Sequence, residues 1–338
     1  MKKKHLLIII IAAIILLFAA GGVLLIPRHS LCIPEPVRVD IPAGSDYQAL
    51  VDSLDRHGCI PNHASFHALA RVRGLHKRVK PGSYLLQPHM SIVTVVQKLY
   101  SGNQDPVRLT INKHRTPAQL CQFLGTRLTL NPDSLLALMQ SEQTCSRYGE
   151  TPQTIIGLFL PNTYEIYWTT SPIALLDRMK RESDYFWAKR QNQLQSLGLS
   201  RQQVLTIASI VDEETNADDE KADIASVYLN RLRTGMPLQA DPTVKFALGD
   251  FSIRRIRGSM LSTNSPYNTY LYPGLPPGPI CIPSVSSIDA VLKNKKTPYF
   301  FFCAKEDFSG KHNFAATSAQ HSANAQKFHK ALNNRNIH

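Results

Sequence analysis

The pattern of apolar positions between residues 204 and 215 predicts a helix that ends in three consecutive acids. Consecutive residues of an α-helix advance by about 100°, so residues three, four and seven positions apart share a face. Glu214 follows Val211 at three positions and Ile207 at seven, and it therefore lies on the apolar face. A carboxyl group on such a face is uncommon, because burial raises its pKa and keeps it protonated.

The other two acids of this segment point in different directions. Glu213 is predicted on the opposite side of the helix, and Asp212 lies near the edge of the apolar face. A protonated carboxyl group is what a general acid requires, so Glu214 is the candidate catalytic residue. The alternative is a helix end whose three carboxylates are solvated or act as structural acids.

Elsewhere the pattern predicts a mixed α+β fold in two parts. Short strands enclose capped helices, the first of them capped by Ser45, and this predicts a small α+β module over residues 37–112. Residues 113–338 are predicted to form a larger mixed α+β domain. It is expected to contain one long helix from Ile173 to about Leu197, and a hairpin around Ser309-Gly310 before a terminal helix.

The N-terminal pattern predicts a single-pass membrane anchor. Leu6 to Ile26 is a run of twenty-one residues without a charge, which is about the length that crosses a bilayer as a helix. Three lysines precede it, so the positive-inside rule places residues 1–5 in the cytoplasm. A linker over 27–36 and the domains are then expected outside the inner membrane, in the periplasm. A cleaved signal peptide is the alternative, but its apolar core usually has only about 7–15 residues.

Composition excludes some classes of function. The chain has 38 Lys and Arg residues against 25 Asp and Glu, for a formal net charge of +13. Because the domains are expected outside the membrane, anionic lipid headgroups or an acidic envelope polymer are the expected partners of this charge. The positive charges are also dispersed, which disfavours nucleic-acid binding. The six cysteines form no Cys-x-x-Cys pair, so buried free thiols are expected. His63 and His67 are four residues apart, but a two-residue match is too weak for a metal site, and no metal or cofactor is predicted.

Proline-rich loops follow the helices. Stiff loops hold side chains in place at low entropic cost, so Gln239, Asn268 and the tyrosines next to Asn268 are candidates for amide and hydroxyl recognition. Ordinary turns are the alternative. Between the Glu214 helix and these loops, Asp218, Asp219 and Glu220 are predicted to open another helix, where acids suit the helix dipole.

Five segments of the chain carry recognisable motifs: Ala208–Thr215, Ala225–Leu232, Leu238–Thr243, Ser265–Tyr270 and Gly274–Pro279. Together, and in this order, they resemble the endolytic murein transglycosylase family, also called MltG or YceG-like. The resemblance covers nearly the whole chain. The segment from Lys80 to Gly102 is also similar to the LysM-like subdomain of the family, which implies a small glycan-associated module. In the family pattern the second acid before the threonine is catalytic, and that position is Glu214 here.

The resemblance implies an enzyme that cleaves the β-1,4 bond between N-acetylmuramic acid (MurNAc) and N-acetylglucosamine (GlcNAc) in peptidoglycan. Glu214 would act first as an acid and then as a base, and the C6 hydroxyl of MurNAc would close onto C1 to give a 1,6-anhydroMurNAc end. Gln239, Tyr267 and Asn268 are the expected substrate-positioning residues. Termination of nascent glycan strands is the implied role, with peptidoglycan strands, the membrane and peptidoglycan synthases as expected partners.

The chain departs from the family pattern in two of its acids. Asp212 stands where Glu is commoner, and Glu213 stands where relatives often carry Lys; negative charge close to Glu214 would raise its pKa further. Two other functions stay open. One is a hydrolytic muramidase in which Asp212 or Asp241 is the second carboxylate. The other is a non-catalytic, peptidoglycan-binding scaffold in which Glu214 is a structural acid.

Overall fold

The computed structural model describes residues 30–253 and 255–335. The cytoplasmic tail and the membrane segment predicted at 1–5 and 6–26 lie outside this part of the chain, together with the start of the predicted linker. Within the described residues, no helix combines the length and the apolar character that a membrane crossing requires.

The described chain divides into two compact units, and both contain helices and strands. The predicted mixed α+β class is therefore confirmed. Unit 1 holds the residues up to Leu109, and two short later segments join it. Unit 2 holds most of the chain from Thr110 onwards, including the segment with the three acids. The later segments of unit 1 are Arg127–Thr129 and Glu165–Thr170.

Unit 1 consists of a two-stranded antiparallel sheet and three helices around one core. Its strands place Val37 opposite Leu86 and Ile41 opposite Gly82. The apolar residues of the strands are buried with the apolar faces of the helices, which explains the alternation in the sequence. The elements are β1 (Val37–Ile41), α1 (Tyr47–Arg56), α2 (His63–Arg73), a 3₁₀ turn (Leu75–Lys77), β2 (Gly82–Leu86) and α3 (Ile92–Ser101).

The start of α1 differs from the prediction. Ser45 caps no helix, since its hydroxyl donates to the carbonyl of Pro42 (2.8 Å). The cap is Asp46, whose carboxylate accepts a hydrogen bond from the backbone N–H of Ala49 (2.8 Å). The two residue types are equally good caps, so sequence could not choose between neighbours.

The two histidines of α2 have separate partners within unit 1. His63 Nε2 lies 3.3 Å from a carboxylate oxygen of Asp55, and His67 Nδ1 lies 2.8 Å from the Tyr47 hydroxyl. All six cysteines lie in the described part of the chain, and all are free thiols.

Unit 2 is mostly helical. It contains the two-stranded sheet of β5 and β6, and β3 pairs with β4 in a separate two-stranded sheet of the described chain. The strands are β3 (Val107–Ile111), β4 (Asn162–Ile166), β5 (Phe301–Ala304) and β6 (His312–Ala315). The helices are α4 (Pro117–Gly125), α5 (Pro132–Gln140), α6 (Glu142–Ser146), α7 (Pro172–Ala188), α8 (Gln191–Leu197), α9 (Arg201–Glu214), α10 (Lys221–Arg233), α11 (Asp241–Leu248), α12 (Val285–Leu292) and α13 (Ser318–Asn334).

Helix α9 is the central helix of unit 2. Its N-terminus carries a capping box, because the Ser200 hydroxyl accepts from the N–H of Gln203 and the Gln203 side chain accepts from the N–H of Ser200. Every residue from Val204 to Asp212 is buried, so the helix is enclosed on all sides rather than on one face, and it contacts α10, α11 and α12. Its C-terminus therefore has a fixed position in the unit.

The long helix predicted from Ile173 to Leu197 is wrong, since the chain breaks it into α7 and α8 at Arg190. The guanidinium of Arg190 donates to the carboxylate of Asp289 (2.7 Å) and lies over the ring of Phe186. The break has neither a glycine nor a proline, so the sequence carries no local stop signal. The break coincides with these tertiary contacts of Arg190.

The predicted hairpin is confirmed as β5 and β6, with Phe301 opposite Ala315 and Ala304 opposite His312. Helix α13 follows and begins with a second capping box, formed by Thr317 and Gln320. Strand β5 contacts both α10 and α13, so the hairpin is held against the helix that runs beside α9.

Candidate active site

Glu214 is the last residue of α9, and its side chain lines a cleft of about 400 Å³ in unit 2. Thr215 ends the helix in extended conformation (φ −147°, ψ 144°), so the chain turns away directly after Glu214. The cleft is formed by α10, by the loop before α11, by the loop that carries Tyr270, and by the β5–β6 hairpin. Glu214 is partly buried in it.

Burial is the main cause that raises the pKa of Glu214, to about 7. The hydroxyl of the fully buried Tyr228 donates to Glu214 Oε1 (2.6 Å), which favours the ionised form and lowers the pKa. The negative charges of Asp241 and Glu213 raise it, and Lys245 lowers it. The carboxyl group therefore exchanges its proton close to neutral pH, which suits a residue that acts as acid and as base.

Replacing Tyr228 with Phe should move the alkaline limb of the kcat/KM profile to higher pH, by roughly one unit, for a reaction that needs protonated Glu214. The phenol stabilises the carboxylate, so its removal raises the pKa of Glu214, while the ring still packs edge-on against Phe302. Rates measured across a pH series check this. Tyr185→Phe, at a tyrosine that is 62% exposed, is the control. An unmoved or acid-shifted limb would contradict it.

The neighbouring acids do not share this cleft. Asp212 is buried and forms an ion pair with Lys113 (2.7 Å), and it accepts hydrogen bonds from the hydroxyls of Ser284 and Ser287. Burial would raise the pKa of Asp212, but these hydrogen bonds outweigh it and lower the pKa to about 2. Glu213 receives two hydrogen bonds from the guanidinium of Arg115 (3.1 and 2.9 Å).

Asp241 is the other carboxylate that lines the cleft. It stands at the start of α11, and its Oδ1 accepts a hydrogen bond from the hydroxyl of Tyr270 (2.6 Å). Burial, this hydrogen bond and the charges of Asp241 and Glu214 all raise the pKa of Tyr270, so the phenol stays protonated and donates. The cleft thus holds two carboxylates, each with a tyrosine donor.

Gln239, predicted to position the substrate, lines the cleft beside Glu214. Its backbone adopts the left-handed conformation (φ 52°), which is uncommon for a residue other than glycine. A hydrogen bond from its N–H to the carbonyl of Thr269 (3.1 Å) holds this conformation. The backbone is therefore fixed while the side-chain amide faces the cleft.

Tyr267 and Asn268, the other two predicted substrate-positioning residues, do not line the cleft. Asn268 is fully buried, and its amide donates to the carbonyls of Leu261 and Thr263 (both 2.9 Å). Its Oδ1 accepts from the N–H of Tyr270 (3.0 Å). The ring of Tyr267 packs against Phe246, 4.6 Å between centroids, and burial raises its pKa to about 12.

Arg231 is a buried cation on the cleft that sequence reasoning did not assign. It donates to the carbonyls of Phe300 (2.7 Å) and Leu238 (2.8 Å), so it joins the hairpin to the loop of Gln239. Burial lowers its pKa. The ring of His321 also lines the cleft, and burial together with the charge of Arg231 lowers the pKa of this imidazole.

The motifs did contain a signal for the missed residues. Tyr228 and Arg231 lie in the segment Ala225–Leu232, and Tyr270 ends the segment Ser265–Tyr270. Periodicity could not assign them, because each acts on a residue from another element. The hydrogen bonds to Glu214 and Asp241 become visible only when α9, α10 and the loops are packed together.

The chain is similar to a known protein family and to named members of it. The sequence model of the YceG-like family matches residues 39–327. The endolytic murein transglycosylase of Bacillus subtilis strain 168 is 28% identical over 313 residues, which cover 88% of this chain and 86% of that protein. The protein of the same name from Streptococcus pneumoniae strain D39 is 29% identical over 328 residues, which cover 88% of this chain and 59% of that protein.

One solved structure is also similar to this chain. The crystal structure of a YceG-like protein from Listeria monocytogenes has 30% sequence identity and a TM-score of 0.55, and the match covers 86% of this chain and 99% of that one. The family model spans most of the chain, from Val39 within β1 to Lys327 within α13. The chain therefore belongs to the YceG-like family.

Proposed function

We propose that this protein is an endolytic peptidoglycan lytic transglycosylase that cleaves the MurNAc-β-1,4-GlcNAc bond. The observation that carries the proposal is the Glu214 carboxyl group, which lines a cleft and has a pKa of about 7. Family membership and the names of the relatives support the same activity. No cofactor takes part in the proposed reaction.

In the proposed reaction Glu214 donates its proton to the glycosidic oxygen, and the bond from C1 of MurNAc to that oxygen breaks. The resulting carboxylate removes the proton from the C6 hydroxyl of the same MurNAc, whose oxygen forms the new bond to C1. Glu214 is protonated again at the end, and water is not consumed. Burial favours the acid form and Tyr228 favours the carboxylate, so both forms are accessible near neutral pH.

Product mass tests the proposal. Purified protein incubated with isolated sacculi is expected to release fragments that end in 1,6-anhydroMurNAc, each one water lighter than the corresponding reducing end. Release of reducing ends would support a hydrolase instead. Absence of any release, from a protein that still binds sacculi, would support the scaffold alternative.

A hydrolytic muramidase is the second candidate, because Asp241 lines the same cleft as Glu214 and is the second carboxylate that such an enzyme needs. Asp212 is unsuited to that role, since its carboxylate is engaged by Lys113 and two serines. The two candidates differ in what Asp241 does. It reacts in the hydrolase, whereas in the transglycosylase it tunes the pKa of Glu214.

Asp241→Asn separates these candidates. For the transglycosylase we expect anhydro products from the variant at a rate within about tenfold of wild type below pH 6, because the amide oxygen still accepts from Tyr270. The alkaline limb of the kcat/KM profile should move to lower pH in this variant, since the charge of Asp241 raises the pKa of Glu214. Loss of all cleavage, or reducing-end products from the wild type, would contradict this. Asp250→Asn, at an exposed acid, is the control.

We assign substrate positioning to Gln239, whose amide is suited to hydroxyl and acetamido groups of the glycan. Asn268 would act on the substrate through Tyr270, because its Oδ1 accepts from the backbone N–H of this tyrosine. Tyr267 would position the substrate through the same loop, which its ring anchors against Phe246. The residues of unit 1 that resemble a LysM-like module, Lys80–Gly102, would contribute glycan binding outside the cleft.

The location we propose is the inner membrane, with residues 6–26 as a single-pass anchor and both units in the periplasm. The uncharged run with lysines before it supports this, and an anchor would confine the cleft to nascent glycan strands near the synthases. Membrane fractionation of the full chain against a chain that begins at residue 30 tests it. Equal recovery of both chains in the soluble fraction would refute the anchor.

A further inference from the structure

His312 lines the Glu214 cleft, and the proposed reaction does not use it. It is the first residue of β6, and its side chain is 14% exposed. Its Nδ1 lies 2.9 Å from Oε1 of Glu220, and its backbone N–H donates to Oε2 of the same carboxylate (3.0 Å). One side chain of another element therefore holds both the ring and the backbone of this residue.

Glu220 has a different role from the one its sequence position suggests. It occupies the N-cap position of α10, but its side chain makes no capping hydrogen bond. The carboxylate is buried and accepts instead from the hydroxyl of Thr215 and from both donors of His312. An interaction with the helix dipole does not require a carboxylate to be buried, whereas three hydrogen-bond donors do satisfy a buried one.

These contacts fix the tautomer of His312. An ionised carboxylate only accepts hydrogen bonds, so Nδ1 of His312 carries a proton and donates it to Glu220. The other ring nitrogen, Nε2, has no hydrogen-bond partner among the described residues. Phe302 packs edge-on against the ring, with 5.2 Å between centroids, and limits its rotation. Nε2 is therefore the polar atom of this side chain that remains for a bound molecule.

The same carboxylate connects His312 to the catalytic helix. Thr215 directly follows Glu214 and donates to the Oε1 atom that His312 also contacts. Glu220 thus joins the C-terminus of α9 to the first residue of β6. Thr215, next to Glu214, and His312 therefore share one carboxylate, and the side chains of Glu214 and His312 both line the cleft.

We infer that His312 is a further substrate-contacting residue, whose Nε2 hydrogen-bonds to a hydroxyl or acetamido group of the glycan beside the scissile bond. The inference rests on the proposed function for the identity of the ligand. An imidazole held at one nitrogen by a buried carboxylate presents the other in a fixed direction, and this lowers the entropic cost of each hydrogen bond to the sugar.

Two substitutions at His312 separate contact with the glycan from support of Glu220. Asn places an amide N–H near the position of Nδ1, so His312→Asn keeps the bond to Glu220 and removes the group at Nε2. Gln reaches the position of Nε2, so His312→Gln keeps a polar group in the cleft. We expect His312→Asn to lower kcat/KM about tenfold to hundredfold with an increase in KM, and His312→Gln to retain more activity.

His329→Asn, the same change at an exposed histidine of α13, is the matched control and should leave kcat/KM unchanged. Wild-type kcat/KM in His312→Asn, or lower activity in His312→Gln than in His312→Asn, would overturn the inference. Lower activity in His312→Gln than in His312→Asn is the result expected if the ring only supports Glu220. Thermal unfolding of each variant identifies a loss that comes from misfolding.

A binding measurement separates this inference from the proposed reaction. Soluble uncrosslinked glycan strands are titrated into Glu214→Gln, with and without His312→Asn, and we expect at least about fivefold weaker binding in the double variant. Release of reducing ends by the wild type would refute the proposed lytic reaction. The difference in binding would still support the His312 contact in that case. Equal affinity of the two proteins would refute the contact whatever the reaction is.

Discussion

Glu214→Gln should lower the release of anhydro-ended fragments by about 10²–10⁴-fold, the range that a positioned general acid and base contributes. Gln has nearly the same shape and still accepts the hydrogen bond from Tyr228, so binding of glycan should persist. The loss is therefore expected in kcat. Single-turnover release from sacculi, with products separated by mass, measures it.

Glu213→Gln is the matched control, because it makes the same change one residue earlier. That side chain is bound by Arg115 outside the cleft, and its charge has only a small effect on the pKa of Glu214. Its kcat should stay within about threefold of wild type. Equal loss in the two variants would mean that Glu214 is not the reacting acid, and full activity in Glu214→Gln would refute the mechanism.

Glu214→Gln should also stabilise the fold at alkaline pH. The folded pKa of Glu214 is raised from 4.5 to about 7, so the folded state binds this proton more tightly than the unfolded state does. Wild-type stability therefore decreases as the pH rises from 4.5 through 7, and Gln removes this penalty. We expect Glu214→Gln to be more stable by about 1–3 kcal/mol at pH 8 and nearly unchanged at pH 4, as denaturant titration would show.

The position of Glu214 could be predicted because it depends on the helical period alone. Val211 and Ile207 are buried in the core of unit 2, and a residue three and seven positions later shares their side of α9. The sequence did not predict that the whole helix is enclosed. Its polar residues Thr206 and Ser209 are buried too. Their hydroxyls donate to backbone carbonyls, which satisfies these groups away from water.

The rest of the site could not be predicted, since it depends on contacts between distant residues. A buried asparagine and a cleft-lining glutamine look alike in a proline-rich loop, and only packing shows that the amide of Asn268 is engaged by backbone carbonyls while Gln239 faces the cleft. Glu220 is a similar case. Its place before α10 suggests a dipole interaction, whereas Thr215 and His312 determine its role.

Asp212 differs most from its sequence-based interpretation. Periodicity placed it near the edge of the apolar face, yet it is only 6% exposed and anchors an ion-pair network outside the cleft lining. Lys113 lies 2.7 Å from its Oδ2 and also donates to its backbone carbonyl (2.9 Å), and the buried Lys221 lies 3.6 Å from its Oδ1. Lys113 thereby satisfies a carbonyl in the last turn of α9.

Asp212→Asn should destabilise the protein by about 3–5 kcal/mol, because it leaves the buried ammonium of Lys221 without its buried counter-charge. Denaturant titration at neutral pH measures the free energy of unfolding. Asp218→Asn is the matched control, since Asp218 also pairs with Lys221 (2.7 Å) but is 71% exposed, and it should cost less than about 1 kcal/mol. Similar losses in both variants would contradict a role for burial.

The destabilisation caused by Asp212→Asn should become smaller in acid. Hydrogen bonds from Lys113 and the serines overcome the effect of burial and lower the folded pKa of Asp212 from 3.8 to about 2, so this carboxylate stabilises the fold above pH 4 and loses that contribution as the pH falls through 2. The wild type should lose about 2 kcal/mol over this range relative to Asp212→Asn, which has no group to titrate there. A constant difference between the two proteins from pH 7 to pH 2 would show that the aspartate acts by shape and not by charge.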